Sequence, residues 1–268
     1  MVLIPMAIIS GVFLLLLALV WWGQEKLIYF PQPGPYDHPA EVHRMDYAAA
    51  DGQPLLAYVV GDPATARGVL LCFHGNADLA VQQLDWAREV NRRTGYAVVL
   101  AEYRGYMGLG GQPTYTGIRL DAEAAYETVR ARFGAASSRI AFFGYSLGSA
   151  VAAELALEHE PRALLLKAPF TSAREMAPRV ISPPLALAFR LISRVHYDTR
   201  AAVAAIEAPV WVVHGTRDGV IAVEMGRAVF AAAKRKGELL IVDNAQHNDL
   251  AGLGGAAYWE WMERALKQ

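Results

Sequence analysis

The chain opens on a stretch with no polar rhythm. Met1 to Gln24 carries no charged side chain, and Val2 to Trp22 is overwhelmingly apolar. A helix of about 20 such residues crosses a hydrocarbon core of roughly 30 Å. Trp21, Trp22, Tyr29 and Phe30 suit the aromatic belt at a membrane surface. No basic residue precedes the apolar run and no clean small-residue cleavage site follows it, so a single-pass anchor over 1–24 is expected rather than a removed signal peptide. Lys26 is neighboured by Glu25, and the charges assign no membrane side. The run Phe30-Pro31-Gln32-Pro33-Gly34-Pro35 cannot continue a helix, and 25–40 reads as a linker.

From 41 to 268 the pattern alternates. Val42–Ala49 and Leu55–Val60 are strand-like and flank the hairpin signal Asp51-Gly52. Short apolar runs at Val69–Phe73, Ala97–Ala101, Ile140–Phe143, Ala163–Leu166, Val210–Val213 and Glu238–Val242 read as strands, several of them covered on both faces. Helical periodicity falls between them, at Leu79–Arg92, Ile118–Phe133, Val151–Leu157, Ala201–Ile206, Val223–Lys234 and Ala256–Lys267. The rhythm predicts an α/β domain with a mostly parallel sheet flanked by helices. Thr171 to Tyr197 breaks it with Pro178, Pro183 and Pro184 and reads as a short inserted cap. Its Leu185, Leu187, Phe189, Leu191 and Ile192 either line an acyl pocket or pack on the sheet.

A net charge of -1 gives no reason to expect a nucleic-acid partner. Cys72 is the only cysteine, in an apolar run, and reads as a buried core thiol. The seven histidines are scattered without metal-ligand spacing, so neither metal nor other cofactor is expected.

Candidate chemistry concentrates at Gly144-Tyr145-Ser146-Leu147-Gly148. A buried strand enters this stretch and an alanine-rich helix leaves it, the context of a nucleophile elbow. A serine on that turn is aimed out of the sheet, with the Leu147 N–H at a helix start to meet a tetrahedral oxyanion. The loop His74-Gly75-Asn76-Ala77-Asp78 follows a buried strand, and Asn76 is the candidate second N–H donor. A serine hydroxyl needs a base within reach. His247 is the candidate base, and Asp218 the carboxylate that orients it. Asp198, Asp243 and Asp249 compete as acids; His214, at a strand end, competes as base, and His74 is a weaker candidate. Arg104, in the glycine-dense loop 102–114, reads as a loop anchor, hydrogen-bonded to nearby carbonyls or paired to a carboxylate, ahead of a substrate contact. That loop lacks a G-K-[ST] ending and is not a phosphate cradle.

Phe73-His74-Gly75-Asn76-Ala77, Tyr103-Arg104-Gly105-Tyr106 leading to Pro113, Gly144-x-Ser146-x-Gly148, Pro169-Phe170-Thr171-Ser172, His214-Gly215-Thr216-Arg217-Asp218 and His247-Asn248 together resemble the small, often membrane-anchored α/β-hydrolases of the Bem-type group. Eukaryotic relatives of that group include palmitoyl-protein thioesterases. The resemblance covers nearly all of the chain after residue 40. It implies the α/β-hydrolase fold, a triad at Ser146, Asp218 and His247, and an oxyanion loop at Asn76. Met107 and Leu109 stand where the family loop has a glycine and a serine. The expected activity is hydrolysis of acyl esters by a membrane-anchored serine enzyme. The alternatives are an acyl-protein or acyl-carrier thioesterase, an amidase or peptidase, or a catalytically silent interaction protein.

Overall fold

The computed structural model describes residues 3–33, 42–134 and 136–267. Eight strands form one sheet in the order β1-β2-β4-β3-β5-β6-β7-β8. β1 (His43–Ala48) and β2 (Pro54–Val60) make an antiparallel hairpin, and β2 pairs antiparallel with β4 (Ala97–Ala101). From β4 through β3 (Val69–Phe73), β5 (Ile140–Tyr145), β6 (Leu164–Lys167), β7 (Val210–Gly215) and β8 (Lys236–Val242) every pairing is parallel. Each residue of β3, β4 and β5 is buried, because helices cover both faces; this is why those strands are apolar without alternation.

The connections are α2 (Leu84–Thr94), α3 (Tyr115–Phe133), α4 (Leu147–Glu158), α7 (Thr199–Ala205), α8 (Val223–Ala232) and the closing α9 (Leu250–Lys267), which bends at Gly255. α2 ends on Gly95 and α3 on Gly134, both left-handed at the helix end. The segment expected as one helix from Leu79 divides into a 3-10 turn at Ala80–Gln83 and α2. Parallel order brings the loops after β3, β5, β6, β7 and β8 to one edge, where an open α/β sheet places its site.

The break in rhythm after β6 is two helices, α5 (Ala173–Val180) and α6 (Pro183–Ile192). Ser172 caps α5 by accepting from the Glu175 N–H at 3.2 Å, and Pro183 and Pro184 begin α6, where a missing N–H costs nothing. α6 packs against the N-terminal helix α1 (Leu3–Ile28). Within α1, Ser10–Ile28 has mean hydropathy 1.5 and is long and apolar enough to span a bilayer.

The helix runs to Ile28, four residues past the anchor boundary expected at Gln24. Nor are residues 25–33 a spacer. Tyr29 is buried, with its hydroxyl 3.2 Å from that of Tyr197. Gln24 is also buried; its Oε1 accepts the Arg194 N–H at 2.7 Å, and the Arg194 guanidinium lies over Trp21. The helix end is therefore packed against the cap. The rest of the expected linker, 34–40, lies outside the described residues.

Candidate active site

Ser146 stands between β5 and α4 with φ 53 and ψ -114, a conformation that L-residues hold only where the surroundings over-determine it. The surroundings are close. A Cβ on Gly144 would lie 2.2 Å from Gly148 O, and one on Gly148 would lie 2.1 Å from Phe73 O. Only glycine fits either place, which is the physical content of the G-x-S-x-G spacing. The Ser146 N–H donates to Lys167 O at 2.9 Å, and the Ser149 Oγ donates to Ser146 O at 2.5 Å.

Asp218 follows β7, and its carboxylate is fully buried. Oδ1 accepts the N–H groups of Val220 and Ile221, both at 2.8 Å. Oδ2 is 2.7 Å from His247 Nδ1 and 3.3 Å from His214 Nε2. Burial pushes its pKa up, but the hydrogen bonds from His214, His247 and Ile221 outweigh that and hold the carboxyl well below the usual range. An ionised Asp218 is an acceptor for a proton on His247 Nδ1.

Ser146, His247, Asn76 and Leu147 all line one cavity of about 740 Å³. Among the described residues the Ser146 hydroxyl has no hydrogen-bond partner. The structure thus brings Asp218 and His247 into contact and puts Ser146 and His247 on one cavity.

The competing residues are engaged elsewhere. His214 is buried behind Asp218, with Nε2 2.9 Å from Ile221 O; a Cβ on Gly226 would sit 2.3 Å from its Nδ1. It supports Asp218 and does not face the cavity. His74 Nε2 is 2.6 Å from Glu102 Oε1 and Nδ1 is 2.8 Å from Gly75 O, so both ring nitrogens face acceptors. Burial alone would lower its pKa; the Glu102 carboxylate overrides this and raises it. Glu102 also accepts the Ala80 N–H at 3.0 Å, so this pair braces the loop that carries Asn76. Asp198 caps α7 by accepting the Ala201 N–H, and Asp249 accepts the Gln246 N–H. Arg104 is the expected loop anchor, bonded to Asp121 at 2.7 Å and to Asp51 at 2.7 Å. Cys72 is buried. Met107 takes φ 53 where the resembled family has glycine; its N–H donates to Gln32 O at 3.1 Å and Tyr58 OH reaches its Sδ at 3.6 Å.

Three features were not foreseen. The Asn76 side chain ties its loop to the end of α1: its Nδ2 donates to Ile28 O, and its Oδ1 accepts the Phe30 N–H at 2.9 Å and the Tyr106 hydroxyl at 2.8 Å. Leu27, Ile28 and Phe30 form part of the cavity wall. Lys167, at the end of β6, reaches the same cavity with its side chain almost wholly buried. Of the cap cluster, Phe189 lines the cavity, Leu185 and Ile192 are partly buried against the core, and Leu187 and Leu191 are exposed.

The sheet order, the strained elbow after β5 and the loops gathered at one edge define an α/β hydrolase. Solved structures agree on the fold. An esterase of Pyrococcus furiosus superposes with a TM-score of 0.69 at 16% identity, covering 89% of this chain and 98% of that one. An acetyl xylan esterase from Paenibacillus gives 0.65 at 20% identity, covering 92% and 94%. Residues 64–203, just over half of the chain, match the family described as serine aminopeptidase, S33, and the chain belongs to that α/β-hydrolase family. An uncharacterized protein of Mycobacterium tuberculosis is 33% identical over 255 residues, covering 93% of this chain and 89% of that protein. Alpha/beta hydrolase domain-containing protein 17B of Homo sapiens is 31% identical over 203 residues, covering 76% and 66%.

Proposed function

We propose that this protein is a serine hydrolase of carboxylic esters with apolar acyl groups, held at a membrane by α1. The observation that carries the reading is the contact of Asp218 with His247, at 2.7 Å, where His247 lines the cavity on whose wall Ser146 sits at a strained turn. In this reading His247 Nε2 takes the Ser146 proton as Oγ bonds to the ester carbon. The tetrahedral oxyanion lies against the N–H groups of Asn76 and Leu147. His247 then returns the proton to the leaving alkoxide as the C–O bond breaks, leaving an acyl-Ser146 that water hydrolyses by the same steps.

The acyl class follows from the cavity wall, to which Leu27, Phe30, Phe170, Met176 and Phe189 contribute apolar surface. A thioester presents the same carbonyl carbon to Ser146 and is the second substrate class. A fluorophosphonate probe is expected to label the detergent-solubilised protein and to leave Ser146→Ala unlabelled. Hydrolysis of p-nitrophenyl esters from C2 to C16 is expected to rise with chain length. Folded wild type that takes no label refutes the reading.

A further inference from the structure

Lys167 has no counterpart in the mechanism above. It ends β6 beside the elbow: in the sheet register it is the partner of Tyr145. The residue is 8% exposed, and it lines the cavity. Nζ lies over the face of Tyr145, 4.1 Å from the ring centroid. Among the described residues no carboxylate lies within ion-pairing distance of Nζ. The nearest acids are occupied. Asp78 accepts the Leu79 N–H at 2.8 Å and the Gln83 amide at 2.7 Å, and Asp249 accepts the Gln246 N–H at 2.7 Å.

A buried cation without a counter-ion is costly, and a methionine of similar length would pack there without that cost. The position makes sense if an anion arrives from outside. Its place in the site says which part of a substrate would bring it. The His247 ring lies 5.2 Å from the same Tyr145 ring, so Lys167 and His247 both neighbour that ring. His247 is the group that would protonate the leaving oxygen, so Lys167 stands on the leaving-group side. Leu27, Phe170 and Phe189 give the same cavity apolar surface for an acyl chain.

Resting on the serine-hydrolase reading, we infer that Lys167 binds an anionic group on the alcohol portion of the substrate, making the preferred substrate an acyl ester of a phosphate- or carboxylate-bearing alcohol. The charge on Lys167 is sensitive to pH. Burial pushes the ammonium down to about 8, with Asp78 and Asp249 acting against that shift; Tyr145 and His247 complete the titratable groups that face it. Selectivity for the anionic substrate is therefore expected below about pH 8 and declines above it.

The test compares 1-oleoylglycerol 3-phosphate with 1-oleoylglycerol, and oleoyl glycolate with its methyl ester, in neutral detergent micelles. The first pair probes phosphate and the second carboxylate. The anionic member of at least one pair is expected to have the higher kcat/KM, carried mainly by KM. Lys167→Met is expected to cut that ratio by about 10- to 100-fold, the range of a charge-assisted hydrogen bond, and Lys167→Arg to restore part of it. If Lys167→Met does not fold, the pH series on wild type decides. Equal rates within both pairs in fluorophosphonate-labelled wild type, or a ratio insensitive to Lys167→Met, overturn the inference and leave the serine-hydrolase reading standing. Wild type that is neither labelled nor active overturns both.

Discussion

Replacing Asp218 by asparagine is the sharpest test of the proposed base. All four groups around the carboxylate are donors: the N–H groups of Val220 and Ile221 on Oδ1, and His247 Nδ1 with His214 Nε2 about Oδ2. A carboxamide has one acceptor oxygen and one donor nitrogen. With its oxygen at the Oδ1 position, its NH₂ faces His247 Nδ1. That nitrogen must then accept, its proton moves to Nε2, and the lone pair that would deprotonate Ser146 is lost. With the amide flipped, NH₂ opposes two backbone N–H groups, and each unpaired buried donor costs about 1–3 kcal/mol. The first orientation is therefore favoured. It is expected to lower kcat by about 10³- to 10⁴-fold, equivalent to about 4–5.5 kcal/mol of barrier, with little change in KM. The assay is steady-state hydrolysis of p-nitrophenyl butyrate across pH 6–10, beside a thermal melt. A folded Asp218→Asn enzyme retaining more than a tenth of wild-type kcat would refute the argument.

Two further perturbations test the scaffold. Gly148→Ala forces a Cβ to 2.1 Å from Phe73 O and 2.6 Å from His74 O; it is expected to cost at least about 1–3 kcal/mol, read as a lower Tm, and to lower fluorophosphonate labelling of the remaining folded protein. Glu154 is pushed up to about 7 by burial, with the Tyr115 hydroxyl at 3.1 Å and the Arg119 guanidinium at 3.8 Å opposing the shift. A folded pKa above the unfolded value near 4.3 means that ionised Glu154 destabilises the fold, and stability falls as pH rises from about 4 to 7. Glu154→Gln is expected to raise stability at pH 8 by up to about 3 kcal/mol and to make no difference below pH 4; denaturant melts at the two pH values measure this.

Much of the fold was legible because its signals are local. Val69–Phe73 and Ala97–Ala101 are strands with the bounds that their apolar runs gave, and Gly144 and Gly148 pass through a turn that no side chain tolerates. The order Ser146, Asp218, His247 pointed to groups that parallel strands bring to one edge, and Asp218 and His247 do meet there. What sequence did not disclose depends on contacts between distant segments. Asn76 bonds to residues 46 and 48 positions earlier, and no local pattern marks that pairing. Lys167 ends a strand, where lysine commonly reaches solvent; only the packing of Tyr145 and the cap leaves it inside a cavity. The cap cluster divided residue by residue because α6 has one face toward the cavity and core and another exposed. Hydrophobicity alone does not separate the two.

The joint at Asn76 has a practical meaning for anyone who wishes to work with a water-soluble version of this protein. Cutting the chain after residue 33 would remove the acceptor at Ile28, the donor at Phe30, the Gln32 carbonyl that holds Met107, and one side of the cavity. Grafting an unrelated hydrophobic helix in its place would restore greasiness and none of those contacts. The segment behaves less like a tether tied to a finished enzyme than like a keystone: the part that looks dispensable from outside holds the arch over the chemistry.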